Sequence, residues 1–481
     1  MGYSFNFPGW NHLNNASVFN SSHEYKRKRT VGNFASLSLA WKNMLYLNVT
    51  GRNDIVSSMP RDNRSFFYPS VSLGWVFTEV EALKNDILTF GKIRGSYAEV
   101  GMAGEYVPSY YYTPSYGGGF FQGTPIMYPI NGNMAYIPYF VVYDPNLKPQ
   151  NTKSYELGAD LTFLNGLVSL NYTYSRQNVK DQIFEVPLAG STGASSMMMN
   201  GGKMHSNVHE ITLGISPDTK NFKLDFAFNF SKIDNYVDEL APGVESIMLG
   251  GFVTPQVRAG IGDKFPVIYG VGYKRDGEGR IVVNEKGIPE AGETQVIGKV
   301  SPDFRLGFNT NIELYKFRLA AVFDWKQGGQ MYSGTAGETN FYGTSKLSGE
   351  VRKSDKYHFD YAAVEQKGVD ADGKPIYVPY TGGVKGSDAE EYFKSVRGID
   401  EAYVYDNSFL KLRELSLSYP VYKKDNLNVN VNVFARNIIV WSEIKGFDPE
   451  ATQGNNNMAG AFERFSLPGT SSYGFGVNVN F

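Results

Sequence analysis

Apolar and polar residues alternate along much of this chain. Between Val31 and Trp41, Leu37, Leu39 and Trp41 alternate with Ser36, Ser38 and Ala40; in Met44–Asn53 the apolar set is Leu45, Leu47 and Val49. A period of two predicts strands with one apolar face. Phe67–Phe77 repeats the pattern with Val71, Leu73, Trp75 and Phe77, and Phe90–Val100 shows a polar face in Lys92, Arg94, Ser96 and Ala98. Asn165-Gly166 then joins Tyr155–Phe163 to a strand carrying Val168, Leu170, Tyr172 and Tyr174, a strong hairpin signal. Further pairs are predicted at Val208–Ser216 and Phe222–Ile233, at Phe304–Leu314 and Phe317–Trp325, and at Phe409–Tyr419 and Leu427–Trp441. The apolar phase slips between Leu412 and Leu415, which predicts a β-bulge near Arg413. In Ser471–Phe481, Tyr473, Phe475, Val477, Val479 and Phe481 alternate with Gly474, Gly476, Asn478 and Asn480.

The predicted strands are long enough to cross a bilayer at a tilt, and short turns alternate with long connections at 101–153, 180–206, 235–301, 327–404 and 442–470. The fold class expected is therefore all-β: an antiparallel transmembrane β-barrel wall of about thirteen strands over residues 31–481, with long extracellular loops. Residues 1–30 are expected to be a loop or short strand. Val429, Val431, Val433, Phe226, Phe228, Phe475, Val477 and Val479 should face lipid, while Asn428, Asn430, Asn432, Lys223, Asp225, Asn478 and Asn480 face the lumen. Trp41, Trp75, Phe163, Tyr315, Tyr419 and Phe481 should form a girdle near the periplasmic turns.

Composition agrees with this reading: 52 Gly, 33 Tyr and 33 Phe suit strands and turns. No apolar run reaches the length of a membrane helix, which leaves a barrel open because alternation dilutes hydropathy. The absence of Cys excludes a disulfide scaffold and thiolate metal sites. A formal net charge of −2 provides no field to recruit nucleic acid. The amino-terminal MGYSFNFPGWNHLNN has neither the basic nor the apolar region of a secretory signal, so for a surface protein the polypeptide is expected to begin further upstream.

Several segments together resemble the SusC/RagA family of TonB-linked outer-membrane transporters of Bacteroidota. They are YLNVTGRND (46–54), SFFYPSVSLGWVFTE (65–79), FGKIRGSYAEVG (90–101), NTKSYELGADLTFLNG (151–166), FRLAAVFDWKQGGQMYSGT (317–335), DNSFLKLRELSLSYP (406–420) and NVFARNIIVWSEIKGFDPE (432–450). The resemblance implies a 22-stranded barrel with an amino-terminal plug, a TonB box and a SusD-like surface lipoprotein over its mouth. It implies import of oligosaccharides or peptides, and a location in the outer membrane in contact with its lipid. Nothing in this sequence resembles the plug or the TonB box, so TonB would act only through an amino-terminal region missing here. Thirteen antiparallel strands cannot close on themselves, because closure needs an even number. The chain is thus expected to be the carboxy-terminal part of such a barrel, inactive alone. If residues 10–20 supply a fourteenth strand, a small passive porin or surface adhesin is the alternative. A soluble β-rich carbohydrate-binding module is a third reading.

Candidate contacts lie in the connection 101–144, which carries Tyr106, Tyr110, Tyr111, Tyr112, Tyr116, Phe120, Phe121, Tyr128, Tyr136 and Tyr139. Exposed aromatic faces stack on sugars and build protein interfaces. Tyr110, Tyr111, Tyr112, Tyr116, Phe120 and Phe121 are therefore candidates to touch substrate or the lipoprotein lid, against the plainer reading of loop packing on the barrel rim. Asp370-Ala-Asp372-Gly373 and Arg275-Asp-Gly277 invite a calcium reading but fit hairpin turns better. His205 and His209 have helical spacing in a strand-like segment, which argues against zinc. Met197–Met199 fit a loop packed against a plug, or an adaptable contact surface. No catalytic arrangement, metal-ligand set or cofactor motif stands out, so no enzyme activity and no cofactor are expected.

Overall fold

The computed structural model describes all residues except 1, 11, 20–24, 26, 108–111, 116, 123, 139, 425–426, 445 and 454–459; for 2–5, 13, 18–19, 112–115, 117–121, 125 and 138 it describes the backbone alone. Thirteen long strands follow one another without crossover in one antiparallel wall. They are β1 Thr30–Trp41, β2 Leu45–Val56, β3 Ser65–Val76, β4 Leu88–Met102, β5 Gln150–Phe163, β6 Val168–Pro187 and β7 Ser196–Ile215. The wall continues with β8 Phe222–Glu239, β9 Phe304–Leu314, β10 Phe317–Gln327, β11 Phe409–Lys424, β12 Leu427–Ser442 and β13 Ser472–Asn480. The expected strands are all present, most of them longer than alternation alone suggests.

Tight turns close one end of the wall. Between β5 and β6, Leu164, Asn165 and Gly166 all have positive φ (52°, 54° and 95°), a conformation that Asn and Gly adopt at least cost. Tyr315, with φ 54°, begins the turn between Leu314 and Phe317, which pair with each other.

Register sorts the residues onto two faces. From β12 to β13, Val429 pairs with Val479, Val431 with Val477 and Val433 with Phe475, so apolar meets apolar at each rung. Asn428 meets Asn480 and Asn430 meets Asn478 on the opposite face. In the middle of the wall Leu213, Phe228, Phe308, Phe323 and Leu412 follow one another across five strands. Their rings form a ladder, 4.7 Å between the Phe228 and Phe308 centroids and 5.8 Å between Phe308 and Phe323. Lys223 pairs with Glu313 and Asp225 with Asn311 on the polar face. One apolar sheet surface and one polar sheet surface result, as a bilayer outside and water inside require.

The bulge falls where the phase slips. Leu412 and Glu414 pair with successive residues of β10, leaving Arg413 unpaired there, and the register shifts at the same point against β12. The extra residue keeps Leu410, Leu412, Leu415 and Leu417 on the apolar face. The girdle residues lie at the tight-turn end: Trp41 abuts the β1–β2 turn, Trp75 pairs with Leu45, and Tyr419 packs on Phe317 at 4.7 Å.

Three expectations need correction. Ala16–Phe19 pairs with Gly2–Phe5 in a hairpin of its own, so the described residues of 10–20 add no fourteenth strand to the wall. Residues 180–206 are mostly not loop: β6 and β7 continue as a paired ribbon, and the connection between them is 188–195. Met197–Met199 accordingly lie in β7, opposite Phe184–Val186, and Val141–Tyr143 runs parallel alongside.

The long connections between β8 and β9, β10 and β11, and β12 and β13 build an outer body rather than plain loops. It contains the sheet Ser246–Gly251, Gln256–Gly260, Val267–Tyr273 and Ala291–Lys299, and the helices α1 Gly334–Phe341, α2 Lys346–Lys353 and α3 Ala389–Val396. Ser333 and Ser345 cap α1 and α2 by accepting the N–H of Ala336 and of Ser348. Val351, Val384, Tyr392, Phe393, Val396 and Tyr403 form one buried cluster, and Val257, Ile268, Ala461 and Phe462 another. These helices were not expected from the sequence.

Candidate functional site at the outer mouth

At the outer end of β11 Lys411 faces the polar side by alternation and the bulge adds Arg413 beside it, where a returning segment of the β12–β13 connection meets them. Lys411 Nζ donates to Asp448 Oδ1 at 2.9 Å and to Glu450 Oε2 at 2.6 Å. Arg413 donates from Nη1 to Glu450 Oε2 at 2.6 Å and from Nη2 to Glu450 Oε1 at 2.5 Å, a bidentate fork. The same Nη2 reaches Asp324 Oδ2 on β10 at 2.5 Å. Asp448 also accepts the N–H of Glu450 at 3.0 Å and of Gly469 at 2.8 Å, so the carboxylate gathers its own segment.

The Lys411 side chain is 4% exposed, and its ammonium is paired with both carboxylates. Burial works to raise the pKa of Glu450, but the hydrogen bonds and charges of Arg413 and Lys411 outweigh it and hold the carboxyl at about 2. Asp448 is lowered in the same way, with burial opposed by Lys411 and by the two backbone N–H groups. Beside this cluster Trp325, Phe409, Trp441, Phe447 and Asp448 border a cavity of 1010 Å³. The arrangement fixes a segment at the mouth and presents charge and aromatic surface there.

The sequence-predicted aromatic site is only partly described. Tyr110, Tyr111, Tyr116 and Tyr139 lie outside the described residues. Tyr112 opens the short strand Tyr112–Ser115, paired with Ala135–Pro138, and Phe120 and Phe121 end Gly117–Phe121, paired with Thr124–Met127; these are backbone placements. Tyr106 packs on the rim, its ring 6.1 Å from Tyr143 and against the Val56, Met59 and Leu147 cluster. Tyr136 is exposed.

Asp370 Oδ1 accepts the N–H of Asp372 and of Lys374 in a hairpin turn, and Asp276 does the same for Glu278 and Arg280, so both carboxylates serve turns. His205 lies 2.7 Å from Asp238, and His209 is 3.0 Å from the Tyr172 hydroxyl. Among the described residues no three His, Asp or Glu side chains gather as a metal site. The charged cluster on Lys411 and Arg413 was not identified as a site from sequence, although the three segments that form it, FLKLRE, GFDPE and the FDWK of β10, carry the resemblance.

Two-faced strands of membrane-crossing length, tight turns at one end and an elaborate outer body define an outer-membrane β-barrel wall. The chain belongs to the TonB dependent receptor-like β-barrel family, which matches residues 1–434, and with that family it is an outer-membrane protein. It is 25% identical to TonB-dependent receptor P26 of Formosa agariphila over 529 aligned positions, covering 100% of this chain and 49% of that protein. It is 23% identical to TonB-dependent receptor SusC of Bacteroides thetaiotaomicron, covering 89% of this chain and 42% of SusC. The chain spans about half the length of the curated relatives it matches. In fold it is similar to a chain of the RagAB peptide transporter, with a TM-score of 0.72 at 18% identity over 98% of this chain and 50% of that one. The resemblance to SusC and RagA proteins read from the motifs therefore holds.

Proposed function

We propose that this chain is the carboxy-terminal part of the barrel of a TonB-dependent, SusC-like importer of oligosaccharides or peptides. A SusD-like surface lipoprotein would cover the outer body, and TonB would engage a region outside these residues. The observation that carries the reading is the open wall. Its thirteen strands leave β1 and β13 each with an unpaired edge among the described residues, and all twelve residues of β1 are exposed. Each unpaired backbone group in hydrocarbon costs on the order of several kcal/mol, so the edges call for further strands. The separate hairpin near the amino-terminus gives the small-porin alternative no support, and a continuous apolar sheet face does not suit a soluble module.

The test is to express residues 1–481 behind a secretion signal in a strain lacking the full transporter. The expected outcome is degradation or aggregation, with no growth on the cognate nutrient. TonB-dependent growth would overturn the reading, and heat-modifiable insertion with passive leakage would replace it with a porin.

A further inference from the structure

On the polar face, at the outer ends of β9 and β10, Arg305 and Lys326 are register partners. Like charges directly opposed across a sheet repel, and a carboxylate between them is the usual remedy. Among the described residues none pairs with either. Arg305 is exposed, whereas Lys326 is only 7% exposed.

The neighbouring acids are engaged elsewhere. Asp324 and Glu450 hold Arg413. Asp303 takes Lys299 at 2.5 Å, and Asp406 accepts the Ser408 hydroxyl at 2.5 Å and its N–H at 2.8 Å. The Phe409 ring is shared by three cations, its centroid 5.9 Å from Lys326 Nζ, 5.1 Å from Lys411 Nζ and 5.7 Å from Arg413 Cζ. A ring quadrupole divided three ways does not replace a counter-charge. A buried ammonium without a partner is costly, and a second cation beside it adds to that cost.

We propose that Arg305 and Lys326 form an anion-binding site that takes a carboxylate carried by the imported solute. The inference rests on the reading of the polar face as the solute path. The guanidinium provides a planar fork for the carboxylate, and the ammonium a point charge held in place by burial. A carboxylate of this kind occurs on uronic-acid sugars and on acidic peptides.

The test uses protein extracted from the native outer membrane, with trigalacturonate and triglutamate as probes and galactotriose and trialanine amide as neutral counterparts. Titration calorimetry should show an acidic probe bound more tightly than its neutral counterpart, with affinity falling as salt rises. Arg305→Met, at an exposed position that folding tolerates, should weaken that binding about tenfold, the size of one charge-assisted hydrogen bond. Lys326→Met should do the same or more, while Lys326→Arg preserves it. Preference for triglutamate assigns the carboxylate to peptides, and preference for trigalacturonate assigns it to sugars. Equal binding of acidic and neutral probes, or unchanged affinity in Arg305→Met, overturns the site. Because the readout is binding, a failure of TonB-dependent growth would leave this result standing, and the two readings fail separately.

Discussion

The wall and the outer body are built from the same chain by opposite rules. In the wall, large apolar residues such as Leu73, Leu157, Phe475 and Val477 are exposed, because their solvent is lipid. In the outer body, Met331, Val351, Ile399 and Phe462 are fully buried, as in a water-soluble protein. The chain thus has no single hydrophobic core. The wall's stability depends on the ladder and on the sorting of two faces, whereas the outer body depends on close packing.

The difference can be tested from its strongest point. Lys411→Met leaves Asp448 and Glu450 short of a buried cation, and breaking such a pair costs about 3–5 kcal/mol. Faster hydrogen exchange across residues 443–471, with the tight turns unaffected, is the expected result. A related loss should come with acid. Glu450 is held below its ordinary pKa, so its contribution is complete above pH 4.5 and disappears as pH falls through about 2.

Ile399→Ala, at 0% exposure, should destabilise the outer body by about 2–5 kcal/mol. Proteolysis should then cut the outer body while the wall stays heat-modifiable. Coupled loss of both would show that the two regions are not independent. Val431→Arg, on the lipid face, should cost up to about 2 kcal/mol, less than at the bilayer midplane because its register partner Tyr419 belongs to the girdle. Asn430→Arg, one residue away on the polar face, should cost much less, and denaturant titration in lipid vesicles compares them. Equal effects would mean that the faces are misassigned. The smallest effect is expected for Ser345→Ala, which removes the cap on Ser348 N–H and should cost about 1 kcal/mol, visible as fraying of α2 by hydrogen exchange.

The same division explains what could be read from sequence. Where one face meets lipid and the other water, residues such as Leu37, Leu39 and Trp41 must alternate, and even the extra residue at Arg413 shows as a broken phase. Above the membrane that constraint ends. Residues 180–187, KDQIFEVP, and 196–206, SMMMNGGKMHS, are paired strands without a clean period because both faces meet protein or water. The helix α1, GTAGETNF, has two glycines and little more than two turns of sequence to announce it, and its stability comes from packing and the Ser333 cap. The charged cluster was visible only as three resembling segments. Nothing local connects Lys411 to Glu450, which meet through long-range folding.

Asp448 has a further effect on how this protein can vary. By holding Lys411 on the wall and the N–H of Gly469 at 2.8 Å, one carboxylate pins both ends of the intervening arc at a single point. The arc's closure is therefore set at its base, and lengthening it adds only about 0.6 kcal/mol per doubling of length. Glu450, Ala461 and Phe462 are themselves fixed by Arg413 and by the outer body's core, so the exposed Leu467–Pro468 is the place in this arc where a new recognition sequence can be grafted while β12 and β13 keep their register.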